Sequence, residues 1–147
     1  MLAIGRTYTL IAPGRPLRRR ASIRQVAAGW QAALVTTLGS PPRLDLAVVG
    51  VGSDGHVASL FPAHPVLECL DVWVAGVSDS PKPPPARVTL TLATLAHARE
   101  VWIVAFGSSK AAAIADARRN PASMLPVALV ARSGPQVRWI LDSEADG

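Results

Sequence analysis

Residues 44–62, LDLAVVGVGSDGHVASLFP, constrain the fold more than any other part of the chain. LDLAVVG is a continuous apolar run of the kind that forms a strand buried on both faces of a parallel sheet. It stops at two glycines and exposes Asp54, Gly55 and His56, after which a small-residue segment leads to Phe61 and Pro62. In open parallel sheets ligands bind beyond the carboxyl ends of the strands. An acid and an imidazole two residues apart on such a loop are therefore candidate functional groups.

The remaining chain supplies the other elements of such a fold. TYTLI at residues 7–11 reads as a short strand, followed by turn chemistry in APGRP. Ser22 is an N-cap candidate, and Ile23, Val26, Ala27, Trp30, Leu34 and Leu38 recur at helical spacing until Gly39. DVWVAGV at residues 71–77 reads as a strand, and SDSPKPPPA as a connector that is neither helix nor central strand. RVTLTL alternates Val88, Leu90 and Leu92 with Arg87, Thr89 and Thr91, which predicts a strand with one apolar face. EVWIVAF predicts a buried strand, and GSSKAAAIADARR a helix capped by Ser108 or Ser109. PVALVA and QVRWIL, separated by RSGP, read as late strands or a hairpin. Strands alternating with helices predict a layered α/β domain with a mostly parallel sheet. Trp30, Trp73, Trp102 and Trp139 fall in apolar segments and are expected in the core, and His97 is expected at the surface end of a helix.

Composition narrows the function classes. The chain has 147 residues, half of them apolar, enough for one domain with a core. The net charge of +5 is uneven. Residues 1–44 carry seven arginines and no acid; residues 45–147 carry eight basic and ten acidic groups. The Arg18 to Arg20 run lacks interleaved aromatics, so no nucleic-acid partner is expected. A lone Cys69 excludes an intrachain disulfide and fits a reducing, cytoplasmic location. The sequence has no apolar run of about 18 residues, and no membrane association is expected. The Pro13–Pro16 turn interrupts any amphipathic transit helix in the Arg-rich leader.

Two segments fall where a ligand is expected. Gly50, Gly52 and Gly55 permit close approach of backbone N–H groups to a substrate oxygen. Lys110, in the first turn of a helix, joins the helix dipole in favouring an anion. Asp54 serves either to orient His56 or to cap the segment that follows it. Asp54, His56 and His64 lack a one-face spacing, so no metal site is expected.

GVGSDGHVASLFPAHP closely resembles the signature of the 6-phosphogluconolactonases. SPKPPPARVTLTL, AREVWIVAFGSSKA and VRWILD follow in the family's order, and the match as a whole runs from about residue 21 to 143. The glucosamine-6-phosphate isomerase and deaminase branch shares Asp-Gly-His and the glycine-to-lysine loop, but ASLFP and PKPPPARVTLTL lean to the lactonase side. The resemblance implies hydrolysis of 6-phospho-D-glucono-1,5-lactone to 6-phosphogluconate, the second step of the oxidative pentose phosphate route. It implies His56 as general base, Asp54 as its orienting group, and Gly52 and Gly55 as amide donors to the oxyanion. Lys110 matches the family's phosphate-binding lysine, Arg87 is a second phosphate candidate, and no cofactor or metal is required. Where the family usually carries Asn, this chain has His97.

Residues 1–20 depart from the family as a basic, divergent leader, and residues 21–147 resemble its later portion. The family's N-terminal strands, its early glycine- and serine-rich phosphate loop and an Asp-Glu-Arg segment have no counterpart in MLAIGRTYTLIAPGRPLRRR. Three explanations are open: a truncated reading frame, a half completed by another chain, or a non-catalytic sugar-phosphate-binding homologue. The expectation is weak or absent turnover, with self-association through an uncovered sheet edge at Leu46, Val48 and Val49.

Overall fold

The computed structural model describes residues 22–134 and 136–147. The expected strand at residues 7–11 and the leader boundary at residue 20 lie outside them. In chain order the elements are α1 (Ile23–Leu38), β1 (Leu46–Gly50), β2 (Val74–Val77), β3 (Arg87–Leu90), α2 (Leu92–Ala96), β4 (Glu100–Ala105), α3 (Ala111–Arg119), α4 (Pro126–Arg132), β5 (Gln136–Leu141) and α5 (Ser143–Asp146). Strands β1, β4 and β5 form a parallel sheet in that order, with Val48, Trp102 and Arg138 in register. Strands β2 and β3 pair antiparallel in a separate two-stranded sheet. The α/β class and the parallel sheet expected from the sequence are both present.

Helix α1 begins where the sequence indicates. Ser22 Oγ accepts the Gln25 N–H at 3.3 Å, and Gln25 Oε1 accepts the Ser22 N–H at 2.8 Å, a reciprocal capping box. The helix crosses β2 closely at Gly76, where a Cβ would lie 2.9 Å from the Ile23 carbonyl oxygen. Glycine is what allows that approach.

One face of the parallel sheet is closed. Ala47, Val49, Val101, Ile103 and Ala105 are buried in a cluster shared with Leu95 of α2, Ile114 of α3, and Val127 and Val130 of α4. The alternate residues of the same strands face the other way. There Val48, Trp102 and Val104 are only half-buried, and Arg138 and Ile140 are exposed.

Several expectations require correction. Residues 126–131 form helix α4, not a strand: Pro126 occupies the first helical turn, where its fixed φ is favourable and its missing N–H has no cost. QVRWIL is β5, but it runs parallel to β4 and so makes no hairpin. Strand β2 starts at Val74 rather than Asp71. RVTLTL is a strand only to Leu90, because Thr91 caps α2 by accepting the Thr94 N–H at 3.3 Å. Thr89 and Thr91 are both buried, each with hydrogen-bond partners. Neither Ser108 nor Ser109 caps the helix after β4. Leu46 and Val49 are buried, leaving Val48 as the less covered of the three edge residues. The four tryptophans are half-buried; Trp30, Trp73 and Trp139 border the core, and Trp102 donates to Glu100 at 2.8 Å. His97 lies at the end of α2, exposed as expected, with its ring 5.2 Å from that of Trp73.

Candidate active site

The loop after β1 is a tight closure. Val51 pairs with Val57, the Gly52 N–H donates to the His56 carbonyl at 2.8 Å, and the Gly55 N–H donates to the Gly52 carbonyl at 2.9 Å. Gly55 has φ +79°, in the left-handed region that glycine enters freely, and its carbonyl accepts the Val127 N–H of α4 at 3.0 Å. Beyond the loop, the Ser59 N–H donates to Thr89 Oγ1 at 3.1 Å and pins the descending segment to β3. The loop is thus held by the core on both sides.

His56 and Asp54 meet inside it. His56 Nδ1 lies 2.6 Å from Asp54 Oδ1. Lys82, from the proline-rich connector, places Nζ 3.2 Å from the same oxygen and 3.3 Å from His56 Nδ1. An ionised carboxylate only accepts, so Nδ1–H and the ammonium both donate to Asp54 Oδ1, and the approach between the two nitrogens is not itself a hydrogen bond. Burial pushes the Asp54 carboxyl upward, but the hydrogen bonds from His56 and Lys82 outweigh it and lower the group to about 2. With Nδ1 protonated, the lone pair of a neutral His56 ring sits on Nε2. The ring also packs against Phe61 at 4.9 Å between centroids.

His56 opens into a cleft of about 440 Å³ that is lined by β1 from Val48 to Gly50, Val51, Gly52, Ala58, Lys82 and Lys110. The structure thereby brings His56 and Lys110 together from segments 54 residues apart in the chain. Asp54 stands behind the imidazole.

Three residues named from the resemblance are engaged differently from what it implies. The amides of Gly52 and Gly55 are spent on the loop's own carbonyls, so neither is free to receive an oxyanion. Arg87 does not line the cleft; its Nε and Nη2 donate to the carbonyls of Pro84, Pro83 and Lys82, and its guanidinium lies 5.8 Å from the Phe61 ring centre. It braces the connector that carries Lys82. At the segment before α3, the Gly107 N–H donates to Asp142 at 3.0 Å and the Ser108 N–H to Glu144 at 3.4 Å. These two amides, just before Lys110, already have carboxylate partners.

Lys82 is the residue that reading the sequence missed. It lies in a proline-rich segment with no periodicity, and only the fold brings it to His56. Among the described residues no group of three or more His, Cys, Asp or Glu side chains is arranged to hold a metal ion. His64 turns instead to Asp79, with Nε2 3.1 Å from Oδ1, while its Nδ1 accepts the Val66 N–H.

Comparison with known proteins defines the class to which this fold and loop belong. Residues 11–139 match the family model for glucosamine-6-phosphate isomerases/6-phosphogluconolactonase, and the chain belongs to that family. It is 51% identical over 110 residues to 6-phosphogluconolactonase of Bos taurus, covering 72% of this chain and 42% of that one. It is 50% identical over 109 residues to the probable 6-phosphogluconolactonase 1 of Arabidopsis thaliana, covering 71% and 41%. A solved structure of 6-phosphogluconolactonase from Trypanosoma brucei superposes with a TM-score of 0.71 at 30% identity, over 82% of this chain and 51% of that one. The chain spans about two fifths of the length of these curated relatives.

Proposed function

We propose that this chain binds and hydrolyses 6-phospho-D-glucono-1,5-lactone, giving 6-phosphogluconate. The observation that carries the reading is the Asp54–His56 pair, 2.6 Å apart, at the carboxyl end of β1 beside a cleft that also holds Lys110. His56 Nε2 takes a proton from water as the water oxygen bonds to the lactone carbonyl carbon. When the tetrahedral intermediate collapses, the bond from that carbon to the ring oxygen breaks, and the imidazolium returns its proton to the leaving oxygen. Asp54 holds the ring in the required tautomer and stabilises the imidazolium that forms. Lys110 holds the phosphate at the far end of the substrate as a point charge. A proton-transferring group of this kind supplies about 10²- to 10⁴-fold in rate.

The residues quoted from the loop and the relatives named above favour the lactonase branch over the isomerase and deaminase branch. The same reading carries with it a role in the oxidative pentose phosphate route and a cytoplasmic setting. No helix among the described residues is long and apolar enough to cross a membrane.

The test is lactone decay above the spontaneous rate, followed with the purified chain and with His56→Asn. Turnover by the parent above the spontaneous rate, even if slow, and its near-complete loss in the variant, with the fold intact by circular dichroism, is the expected result. A variant as fast as the parent removes His56 from the mechanism, and a parent without turnover removes the lactonase reading.

A further inference from the structure

A hydrolytic step of the kind proposed above puts negative charge on the carbonyl oxygen, and that charge must meet a donor. The two amides to which the resemblance gave this role, those of Gly52 and Gly55, are closed off by hydrogen bonds of 2.8 and 2.9 Å inside the loop. Arg87 is turned away onto the connector's carbonyls. Lys82 remains. Its ammonium carries three N–H donors, and among the described residues the side-chain acceptor it reaches is Asp54 Oδ1 at 3.2 Å. It also lines the same cleft as His56 and keeps two fifths of its side chain exposed.

We propose that Lys82 is the electrophilic catalytic residue of this site, its ammonium receiving the carbonyl oxygen of the substrate as that oxygen becomes an anion. The inference rests on the lactonase reading, but it assigns a role that the resemblance gave to backbone amides. The geometry is sufficient. A carbonyl oxygen about 2.8 Å from Nζ puts its carbon only about 1.2 Å further on. Nζ lies 3.3 Å from His56 Nδ1, on the Asp54 side of the ring, and both side chains line one cleft, so a carbonyl held by the ammonium stands beside the ring whose Nε2 takes the water's proton. The contact with Asp54 keeps the ammonium from folding back onto solvent, and Arg87 fixes the carbonyl of Lys82 itself at 3.1 Å. Both ends of the residue are anchored, so little rearrangement is needed as charge develops.

Lys82 and Lys110 then divide the substrate between them. Lys110 grips the phosphate, which is equally charged in ground and transition states. Lys82 meets an oxygen whose charge grows only during reaction, so its removal falls on kcat rather than KM.

The experiment compares the full chain with Lys82→Met, using two probes that differ at the reacting carbon. 6-Phosphogluconate carries a carboxylate there; D-glucitol 6-phosphate carries a neutral hydroxymethyl. By calorimetry the parent should bind the carboxylate at least about tenfold more tightly, as a charge-assisted hydrogen bond allows, and Lys82→Met should erase that preference while retaining affinity for glucitol 6-phosphate. In the lactone assay the variant should lose about 10²-fold in kcat, the cost of removing one oxyanion donor, with KM little changed. Ethylammonium added to Lys82→Ala should restore part of the lost rate. A preference that survives in Lys82→Met, an equal loss for both probes, or a parent without preference overturns the assignment. A Lys82-dependent preference in a parent that never turns over lactone would instead sink the catalytic reading and leave Lys82 as the group that binds this end of the ligand.

Discussion

His56 Nδ1 and Asp54 Oδ1 approach to 2.6 Å across the space left by the missing side chain of Gly52. A Cβ at position 52 would lie 2.0 Å from Nδ1 and 2.4 Å from Oδ1. Both contacts are far inside van der Waals distance, and neither group can retreat without breaking the pair. Gly52→Ala should therefore leave the chain folded and displace the imidazole. A misplacement of about 1 Å costs about 10²-fold in rate. Steady-state assay beside a thermal melt checks this; an Ala variant with the parent's rate would show that the pair is not the working arrangement.

Asp54 gives a pH prediction with a definite sign. Its carboxyl is opposed by burial but held down to about 2 by hydrogen bonds from His56 and Lys82, against an ordinary value of 3.8. A depressed group contributes stability that is fully present above its unfolded value and is lost as pH falls through the folded one. The gap in unfolding free energy between the parent and Asp54→Asn should be constant above about pH 5 and shrink toward pH 2. Paired denaturant titrations across that range measure it, and a gap of the same size at both ends contradicts the assignment.

Lys110 predicts a substrate-dependent effect. A charge-assisted hydrogen bond contributes about 1.5–3 kcal/mol, so Lys110→Ala should raise KM for the phosphorylated lactone about 10- to 100-fold. Hydrolysis of unphosphorylated gluconolactone should change little. Equal effects on the two substrates would mean that Lys110 does not hold the phosphate.

The outer face of the parallel sheet bears on association. Val48, Trp102 and Val104 are half-buried there, and Ile140 is 39% exposed. Exposed apolar surface of this kind recruits other chains. Light scattering during gel filtration should show association that rises with concentration and falls in Ile140→Lys, with catalysis unaffected. A monomer at all concentrations would mean that this face needs no partner.

What was legible in the sequence follows from how local the signals are. Strand β1, helix α1 and strand β4 were readable because each carries its own pattern: an unbroken apolar run, a capped 3.6-residue period, and a second apolar run ended by glycine. The Asp-Gly-His loop was readable because it follows directly from β1. Helix α4 is locally ambiguous because its apolar, partly β-branched run carries both periodicities, and Pro126 in its first turn is the signal that favours the helix. Thr91 fits the strand pattern as well as it fits a cap, because a threonine at the end of an alternating run does not announce whether it pairs or caps. Lys82 had no local signal at all, since its approach to His56 is set by the β2–β3 pair and by Arg87 holding the connector. The hydrogen bonding of Gly52 and Gly55 was equally hidden, because the composition of a glycine loop does not reveal where its amides donate.

The carboxylates of Asp142 and Glu144, set on the amides of Gly107 and Ser108, alter what kind of anion site this can be. A phosphate gripped by backbone amides is held by fixed dipoles in a dry cradle. Here the phosphate would depend on a solvent-accessible ammonium at Lys110, with two negative side chains close behind the loop. Ionic strength then becomes a control on affinity. Screening lengths fall from about 30 Å at 0.01 M salt to about 8 Å at 0.15 M, which shortens the reach of the ammonium and of both carboxylates. On the proposed reading, added salt weakens the hold of Lys110 on the phosphate.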